Sequence, residues 1–139
     1  MNLYIQEDTM TTTALRVRSL MPALTVNDLK RSIKFYRDGL GFAVTEEMNE
    51  GNELKGVLLD AGGVGLGLSQ DDFTKGRDRV KGVGMRLYLQ TDQDVSELAG
   101  QAKAAGITLN DGPAPLPWGP MGFTVTDPDG FKLTISNPD

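Results

Sequence analysis

A turn signal and a strand signal meet near the end of the chain, in the run Asp127-Pro128-Asp129-Gly130-Phe131-Lys132-Leu133-Thr134-Ile135-Ser136. The first four residues favour a tight turn, because Pro presets φ, Asp caps the backbone locally and Gly accepts positive φ. The next six residues alternate apolar and polar side chains, which is the period of a strand with one buried face. This run therefore predicts a turn that leads into a half-buried strand.

The same pattern occurs earlier, in the run Asp60-Ala61-Gly62-Gly63-Val64-Gly65-Leu66-Gly67-Leu68-Ser69. Asp127 follows Asp60 by 67 positions, and Gly130 follows Gly63 by the same 67 positions. The sequence therefore indicates one structural unit that is written twice, and each copy is expected to contain its own helix.

Each copy carries the signals of one capped helix. In the first copy, Asn27-Asp28 supplies the helix N-cap. In the second copy, Asp94 is the N-cap and Glu97 completes a capping-box pattern. The caps Asp28 and Asp94 lie 66 positions apart, which matches the spacing of the turns to within one residue. The apolar stripes that follow the caps consist of Leu29, Ile33, Tyr36 and Leu40 in the first helix and of Val95, Leu98, Ala102 and Ala105 in the second.

Strands account for most of the remaining sequence. The first is expected over Arg16 to Val26, where Pro22 favours an edge position or a bulge. Residues 110–120 contain four of the seven prolines and the only tryptophan, Trp118, and predict a long, stiff loop. The other predicted strands are 42–48, 54–60, 64–69, 85–90, 107–109, 122–126 and 131–136.

The order within each copy is strand, helix and three strands, which predicts an α+β protein built from two modules in one structural domain. We expect a flexible tail at 1–15, a first module at 16–72, a charged linker at 73–83 and a second module at 84–139. The tail is polar and rich in threonine, lacks a signal-peptide pattern and contains Met10 as an alternative start.

Composition argues against several classes of function. The net charge of −5 and the pI near 4.7 argue against nucleic acid as a partner, since phosphates call for a clustered basic face. No apolar run reaches the roughly 18 residues of a membrane helix, so we expect a cytoplasmic protein without a membrane partner. The chain contains neither cysteine nor histidine, so it lacks a thiolate nucleophile, a Ser/His/Asp triad and the commonest transition-metal ligand. Any metal would need an all-oxygen site, which suits Mg²⁺ or Ca²⁺.

Two tandem βαβββ units resemble the vicinal oxygen chelate superfamily, which includes the glyoxalase I, bleomycin-resistance and extradiol-dioxygenase-like proteins. The resemblance covers about residues 17–137 and implies two modules whose curved mixed sheets form a cup with the helices on its outer face. It is specific for the fold and not for a reaction, because this fold hosts many functions. The residues that carry it are Thr25-Val26-Asn27-Asp28-Leu29, Phe35-Tyr36, Gly39-Leu40-Gly41-Phe42, Ala104-Ala105-Gly106-Ile107, Pro117-Trp118-Gly119 and Asp127-Pro128-Asp129-Gly130.

In that family, metal ligands project into the cup from the first and last strands of each module. Carried over to this sequence, the four positions fall on Met21, on Gly67, near Arg86 and on Thr134. None of these side chains suits a divalent metal ion. The resemblance therefore implies the fold without its metal centre, and we expect no metal and no cofactor.

Alternation along the strands predicts which side chains face the helices and which face the cup. The helix-facing set is apolar and the cup-facing set is small and polar, which would leave space for a small molecule. The helix-facing set is Leu24, Val26, Val64, Leu66, Leu68, Leu87, Leu89, Phe131, Leu133 and Ile135. The predicted ligand-binding residues are Met21, Thr25, Gly67, Arg86, Tyr88, Trp118 and Thr134.

Several of these residues have alternative interpretations. Met21 is either a ligand contact or a packing residue, Gly67 either leaves space or marks sheet curvature, and Tyr88 either stacks on a ligand or is an ordinary half-buried strand residue.

Arg86 either reaches solvent, or pairs with a carboxylate such as Glu46 or Glu47, or points into the cup as an unpaired cation that awaits an anionic or carbonyl-bearing ligand. Trp118 either forms a wall of the pocket or fills the junction between the modules. Lys132, although on the cup-facing side, is expected to be solvated.

The favoured function is metal-independent binding, or sequestration, of a small molecule in pockets shared by two chains. The resemblance implies a homodimer, either side by side or with swapped modules. The alternative is an enzyme of the glyoxalase or dioxygenase type, a lyase, isomerase or dioxygenase that acts on a small carbonyl or aromatic substrate. A metal-free lyase or isomerase would use Tyr88 or Arg86 as its polarising group. A third hypothesis is a non-catalytic partner or regulatory subunit with exposed apolar surface.

Overall fold

The computed structural model describes residues 12–139, which form two four-stranded mixed sheets with one helix each. The α+β class and the two tandem βαβββ modules are thereby confirmed. The first module contains β1 (Ala23–Val26), α1 (Leu29–Lys34), β2 (Ala43–Glu50), β3 (Glu53–Ala61) and β4 (Val64–Gln70). The second contains β5 (Arg86–Gln90), α2 (Val95–Ala104), β6 (Asp111–Pro115), β7 (Met121–Thr126) and β8 (Lys132–Ser136).

Both sheets have the same topology. The strand order is β1-β4-β3-β2 in the first and β5-β8-β7-β6 in the second. In each module the first strand runs parallel to the last, and the other neighbours are antiparallel. No strand pair joins the two sheets within residues 12–139, so each sheet belongs to one module.

The repeated turns have similar local causes. The Asp127 carboxylate accepts from the amides of Asp129 and Phe131, at 2.9 Å each, and Gly130 has φ +95°. The amide of Gly63 donates to Asp60 at 3.3 Å, and Gly63 itself has φ +91°. A left-handed residue is required at both turns, and glycine adopts that conformation without a steric cost. The predicted duplication is therefore present in the backbone.

Both predicted helix caps are confirmed. Asp28 accepts from the amide of Arg31 at 3.2 Å, and Asp94 accepts from the amides of Ser96 and Glu97. Helix α1 continues as one π-helical turn over Phe35–Gly39. The helices pack against the sheets through Leu29, Ile33 and Tyr36 in the first module and through Val95, Ala99 and Ala102 in the second. Ala105, which was predicted in the second stripe, is exposed because it is the C-cap residue of α2.

One hydrophobic core connects the modules. Its buried residues come from both sheets and both helices. Gly39 lies so close to Ile107 of the second module that a Cβ atom on this glycine would overlap the isoleucine side chain. Two further links are the hydrogen bond from the Tyr36 hydroxyl to Asp127 and the one from the Asn27 amide to Asp129.

Two predicted strands and one predicted loop differ from the structure. Only Ala23–Val26 of the predicted strand Arg16 to Val26 pairs with a neighbour, and residues 12–20 are exposed. Residues 107–109 are not a strand. The strand lies instead at Asp111–Pro115, inside the predicted loop, and the remaining loop is 116–120. Strand β6 lies at a sheet edge, where prolines are tolerated because one side of the strand needs no amide donor.

Val64 was predicted to face the helix but is exposed, because it begins β4 directly after the turn. The predicted tail at 1–15 falls mostly outside the described residues. In the described part of the chain, neither helix has the length and apolar character that crossing a membrane requires.

Candidate functional site

The helices cover one face of each sheet, and the opposite face, here called the open face, is covered by neither helix of residues 12–139. In the first module it presents Met21, Thr25 and Gly67 from the predicted site. The Met21 side chain is 45% exposed and lies over Gly65, where its sulfur is 3.2 Å from the place of a missing Cβ. The glycines at this face therefore make room for a thioether side chain.

Two residues on the first open face were not predicted. The terminal methyl group of Met48 lies over Gly56, 2.9 Å from the place of a missing Cβ, and a Leu58 methyl group lies 3.6 Å from the corresponding point at Gly67. The register places Gly56 opposite Ser69 and Leu58 opposite Gly67. The register of β3 with β4 would have identified these two residues, but that register cannot be inferred without knowing which strands are neighbours.

The second open face brings together the other four predicted residues. Arg86 is paired in register with Lys132, and Tyr88 with Thr134. Leu87, between them, packs on the core, so Arg86 and Tyr88 point to the opposite face. The structure therefore divides the seven predicted residues into a group of three on one module and a group of four on the other.

Trp118 contacts Tyr88 and does not fill the junction between the modules. The two rings meet edge to face with centroids 6.2 Å apart, and their side chains are 52% and 62% exposed. The loop that carries Trp118 is tied by 2.8 Å hydrogen bonds from the Leu116 amide to Pro120 and from the Gly119 amide to Leu116. Leu116 in turn lies against Gly122 of β7. The indole is thus held beside the open face by a tight turn.

Two cations, Arg86 and Lys132, lie side by side at this face, at the start of β5 and of β8. Arg86 does not pair with Glu46 or Glu47, and the ion pairs within residues 12–139 include neither Arg86 nor Lys132. We call Arg86, Tyr88, Trp118 and Lys132 the aromatic–cationic patch. Such a patch offers flat apolar surface next to charged hydrogen-bond donors, which suits a ring that carries an anionic or carbonyl group.

Two buried polar side chains lie beside the patch. Thr134 and Ser136 face the open side of β8 and are only 3% and 4% exposed. No side-chain hydrogen bond between residues 12–139 involves either hydroxyl. A buried hydroxyl without a partner is unfavourable, so both are available to a bound molecule or to water.

A cleft of about 780 Å³ lies between the modules, beside the edge strand β5. Its apolar wall includes Leu40, Phe42 and Leu98, and Gln93 and Gln101 are among its polar lining residues. Of the seven predicted ligand-binding residues, only Tyr88 borders this cleft. The open faces and the cleft are therefore largely separate surfaces.

A buried ionic cluster lies between β4 and β5, away from the predicted residues. Lys81 Nζ is 2.8 Å from an Asp71 carboxylate oxygen, and Arg79 contacts the same oxygen at 3.1 Å. The Lys81 hydrogen bond, with help from the Phe73 amide, holds the pKa of the Asp71 carboxyl well below its usual range. Because both cations engage the Asp71 carboxylate, the cluster holds the segment after β4 in place and leaves this acid no role in chemistry.

The metal positions that the resemblance implies do not fit a metal ion. Met21 offers only a thioether, Gly67 no side chain, Arg86 a cation and Thr134 a neutral hydroxyl. Within residues 12–139, no three Asp or Glu side chains gather into a potential ligand group. No step of a reaction is therefore assigned to a metal at this site.

A family model described as the Glyoxalase/Bleomycin resistance protein/Dioxygenase superfamily matches residues 17–135. The chain belongs to this superfamily. The match spans both modules and agrees with the resemblance in the sequence motifs.

Three proteins resemble the chain at low sequence identity. Virulence protein STM3117 of Salmonella typhimurium is 28% identical over 117 residues, which cover 81% of this chain and 78% of that protein. TnmS3, an antibiotic binding protein from Streptomyces sp. CB03234, has a solved structure with a TM-score of 0.68 at 21% identity, covering 91% of this chain and 100% of that one. A glyoxalase/bleomycin resistance protein/dioxygenase from Nocardioides gives 0.65 at 19% identity, with coverages of 90% and 85%. At these identities the structural matches establish the fold of this superfamily member and not its ligand.

Proposed function

We propose that this superfamily member binds a small organic molecule at its open faces and sequesters it without using a metal. The observation that carries the proposal is the contact between Tyr88 and Trp118, two aromatic side chains that remain more than half exposed on a sheet face. Exposed aromatic rings that are fixed beside polar groups are typical of ligand sites. The antibiotic-binding character of TnmS3, which shares the fold, supports the same class of function.

We further propose that the protein is a homodimer, and the same surface supports this. Met21, Tyr88 and Trp118 leave apolar area uncovered in the single chain, and a second copy placed against the open faces would enclose the ligand. Light scattering coupled to size-exclusion chromatography tests this directly. A dimer mass supports the enclosed site, whereas a monomer at micromolar concentration restricts binding to an open groove.

The proposal is tested by metal analysis of the purified protein and by thermal shifts. A ligand of the folded state stabilises it by about 2.7 kcal/mol at a hundred times its dissociation constant. We expect no stoichiometric metal and no shift with Mn²⁺, Ni²⁺, Zn²⁺ or Mg²⁺, but a shift with members of a panel of aromatic compounds. Stoichiometric metal together with a metal-dependent shift would overturn the metal-independent function and favour the glyoxalase or dioxygenase type of enzyme.

Turnover separates sequestration from catalysis by a metal-free lyase or isomerase. Compounds that shift the unfolding temperature are incubated with the protein and recovered for mass spectrometry and NMR. Recovery of unchanged compound supports sequestration. Conversion that Tyr88→Phe or Arg86→Gln abolishes would instead identify the polarising group of an enzyme.

A further inference from the structure

Two positive side chains lie side by side on the second open face. Arg86 and Lys132 are register partners on strands about 4.8 Å apart. Neither takes part in an ion pair within residues 12–139, although the chain carries 19 acidic residues against 14 basic ones. Neighbouring like charges destabilise a sheet. An anion bound between them would remove this repulsion.

Tyr88 and Trp118 lie at a distance from the two cations that one small ligand can span. Tyr88 follows Arg86 by two residues on the same face of β5, so their Cα atoms are about 6.6 Å apart along the strand. Trp118 extends the apolar surface beyond Tyr88 through the edge-to-face contact. A ring that packs on these side chains can therefore direct a substituent toward the two cations.

The type of substituent follows from the donors. The Arg86 guanidinium presents paired N–H groups that match the two oxygens of a carboxylate, and Lys132 adds a compact positive charge. The hydroxyl of Thr134, beside Tyr88 in register and without a partner in the described part of the chain, offers one further hydrogen bond. A neutral or cationic ring would leave the two positive charges uncompensated.

We propose that the aromatic–cationic patch selects flat aromatic carboxylates, with the ring against Tyr88 and Trp118 and the carboxylate between Arg86 and Lys132. This inference rests on the proposed function and adds the class of ligand to it. It applies to the second module, because the first open face presents Met21 and Ala23 where the second has Arg86 and Tyr88.

The test compares 2-naphthoate with its uncharged analogue 2-naphthalenemethanol. Affinities are measured by calorimetry on the full chain, and the site is identified by the indole N–H signal of Trp118, which is unambiguous because the chain has one tryptophan. We expect naphthoate to bind at least tenfold more tightly than the alcohol and to move the indole signal. Added salt is expected to weaken only the naphthoate complex, since its preference is electrostatic.

Variants assign the preference to the two cations. Arg86→Gln and Lys132→Gln are each expected to reduce the tenfold preference, and the double variant to abolish it. Lys103→Gln, at an exposed position of α2, removes the same charge away from the patch and is the matched control. An NMR spectrum with the dispersion of the wild type establishes that each variant is folded.

The possible results separate the two proposals. Equal affinity for both compounds, or a preference that survives the double variant, overturns the anionic selectivity and leaves small-molecule binding intact. Binding of neither compound also overturns it, and the thermal-shift panel then decides the proposed function independently. If Lys103→Gln lowers the preference for naphthoate as much as the patch variants do, the preference reflects the overall charge of the protein, and the proposed site is wrong.

Discussion

The hydroxyl of Tyr36 donates a 2.7 Å hydrogen bond to the carboxylate of Asp127, 91 positions further along the chain. The bond joins the helix of the first module to the turn that begins the last strand of the second. Burial raises the pKa of Asp127, while this bond and the amides of Phe131 and Asp129 oppose that shift. The residue that organises the repeated turn therefore also fastens one module to the other.

We expect Tyr36→Phe to destabilise the fold by about 1.5–3 kcal/mol, because a buried carboxylate loses a hydrogen bond. The loss should be larger near neutral pH than in acid. Without the donor the pKa of Asp127 rises further, and stability then falls as the pH rises through that pKa. Urea unfolding at several pH values measures this dependence.

Tyr88→Phe is the control. It removes a hydroxyl from an exposed ring and is expected to change the free energy of unfolding by less than about 0.5 kcal/mol. Equal effects of the two substitutions would contradict the structural role of the bond.

The pH dependence of Asp71 has the opposite sign. Its pKa is lowered in the folded state, mainly by the Lys81 hydrogen bond, so its stabilisation is complete above the unfolded pKa and is lost as the pH falls toward the folded pKa. Asp71→Asn should therefore lower the unfolding temperature at neutral pH. The difference in unfolding temperature between this variant and the wild type should narrow as the pH falls below the ordinary carboxylate pKa of about 4.

The two proteins are compared by thermal and urea unfolding across this range, so that titration of all other groups cancels. Asp78→Asn changes an exposed acid of the same segment that forms no ion pair with residues 12–139, and it should give neither effect. A difference that stays constant with pH would show that the charge of Asp71 is not what stabilises the cluster.

Gly82 tests how closely the connecting segment packs on the second module. A Cβ atom at this position would overlap the backbone of Gly130 and Phe131, which cannot move without disturbing the turn. We expect Gly82→Ala to destabilise the protein at or above the upper end of the roughly 1–3 kcal/mol typical of overpacking. Gly100→Ala, in α2 with nothing within 4 Å of the added atom, should instead stabilise by about 0.5–1 kcal/mol. If both variants stabilise, the contact between the segment and the turn is absent in solution.

The features predicted correctly from the sequence depend on neighbouring residues. The caps Asp28 and Asp94 and the turn at Asp127 are determined within four positions of the chain, so local patterns were sufficient. The duplication was visible because these local signals recur at nearly constant spacing. Their agreement with the tertiary structure is typical of sequences whose local and global preferences coincide.

The features that were not predicted depend on distant residues. Strand β6 contains Pro113 and Pro115, and only its edge position in the sheet makes these prolines acceptable. Trp118 and Tyr88 are 30 positions apart, so no periodicity relates them. The sequence therefore could not distinguish a tryptophan in the pocket wall from one in the junction between the modules. The ion pair of Lys81 with Asp71 likewise requires the path of the connecting segment, which composition alone identifies only as charged.

Trp118→Ala should separate ligand binding from folding. Because the indole is more than half exposed, its loss removes the contact with Tyr88 and little core packing, so we expect a destabilisation of at most about 1.5 kcal/mol. Binding of 2-naphthoate should weaken at least tenfold, since the naphthalene ring loses one of its two aromatic contacts.

Tyr36→Phe provides the converse control, because it should lower the stability more and leave the naphthoate affinity unchanged. Calorimetry and urea unfolding of both variants make the comparison. A variant of Trp118 that binds naphthoate as the wild type does would place the ligand elsewhere, and the cleft beside Leu98 would then be the surface to mutate.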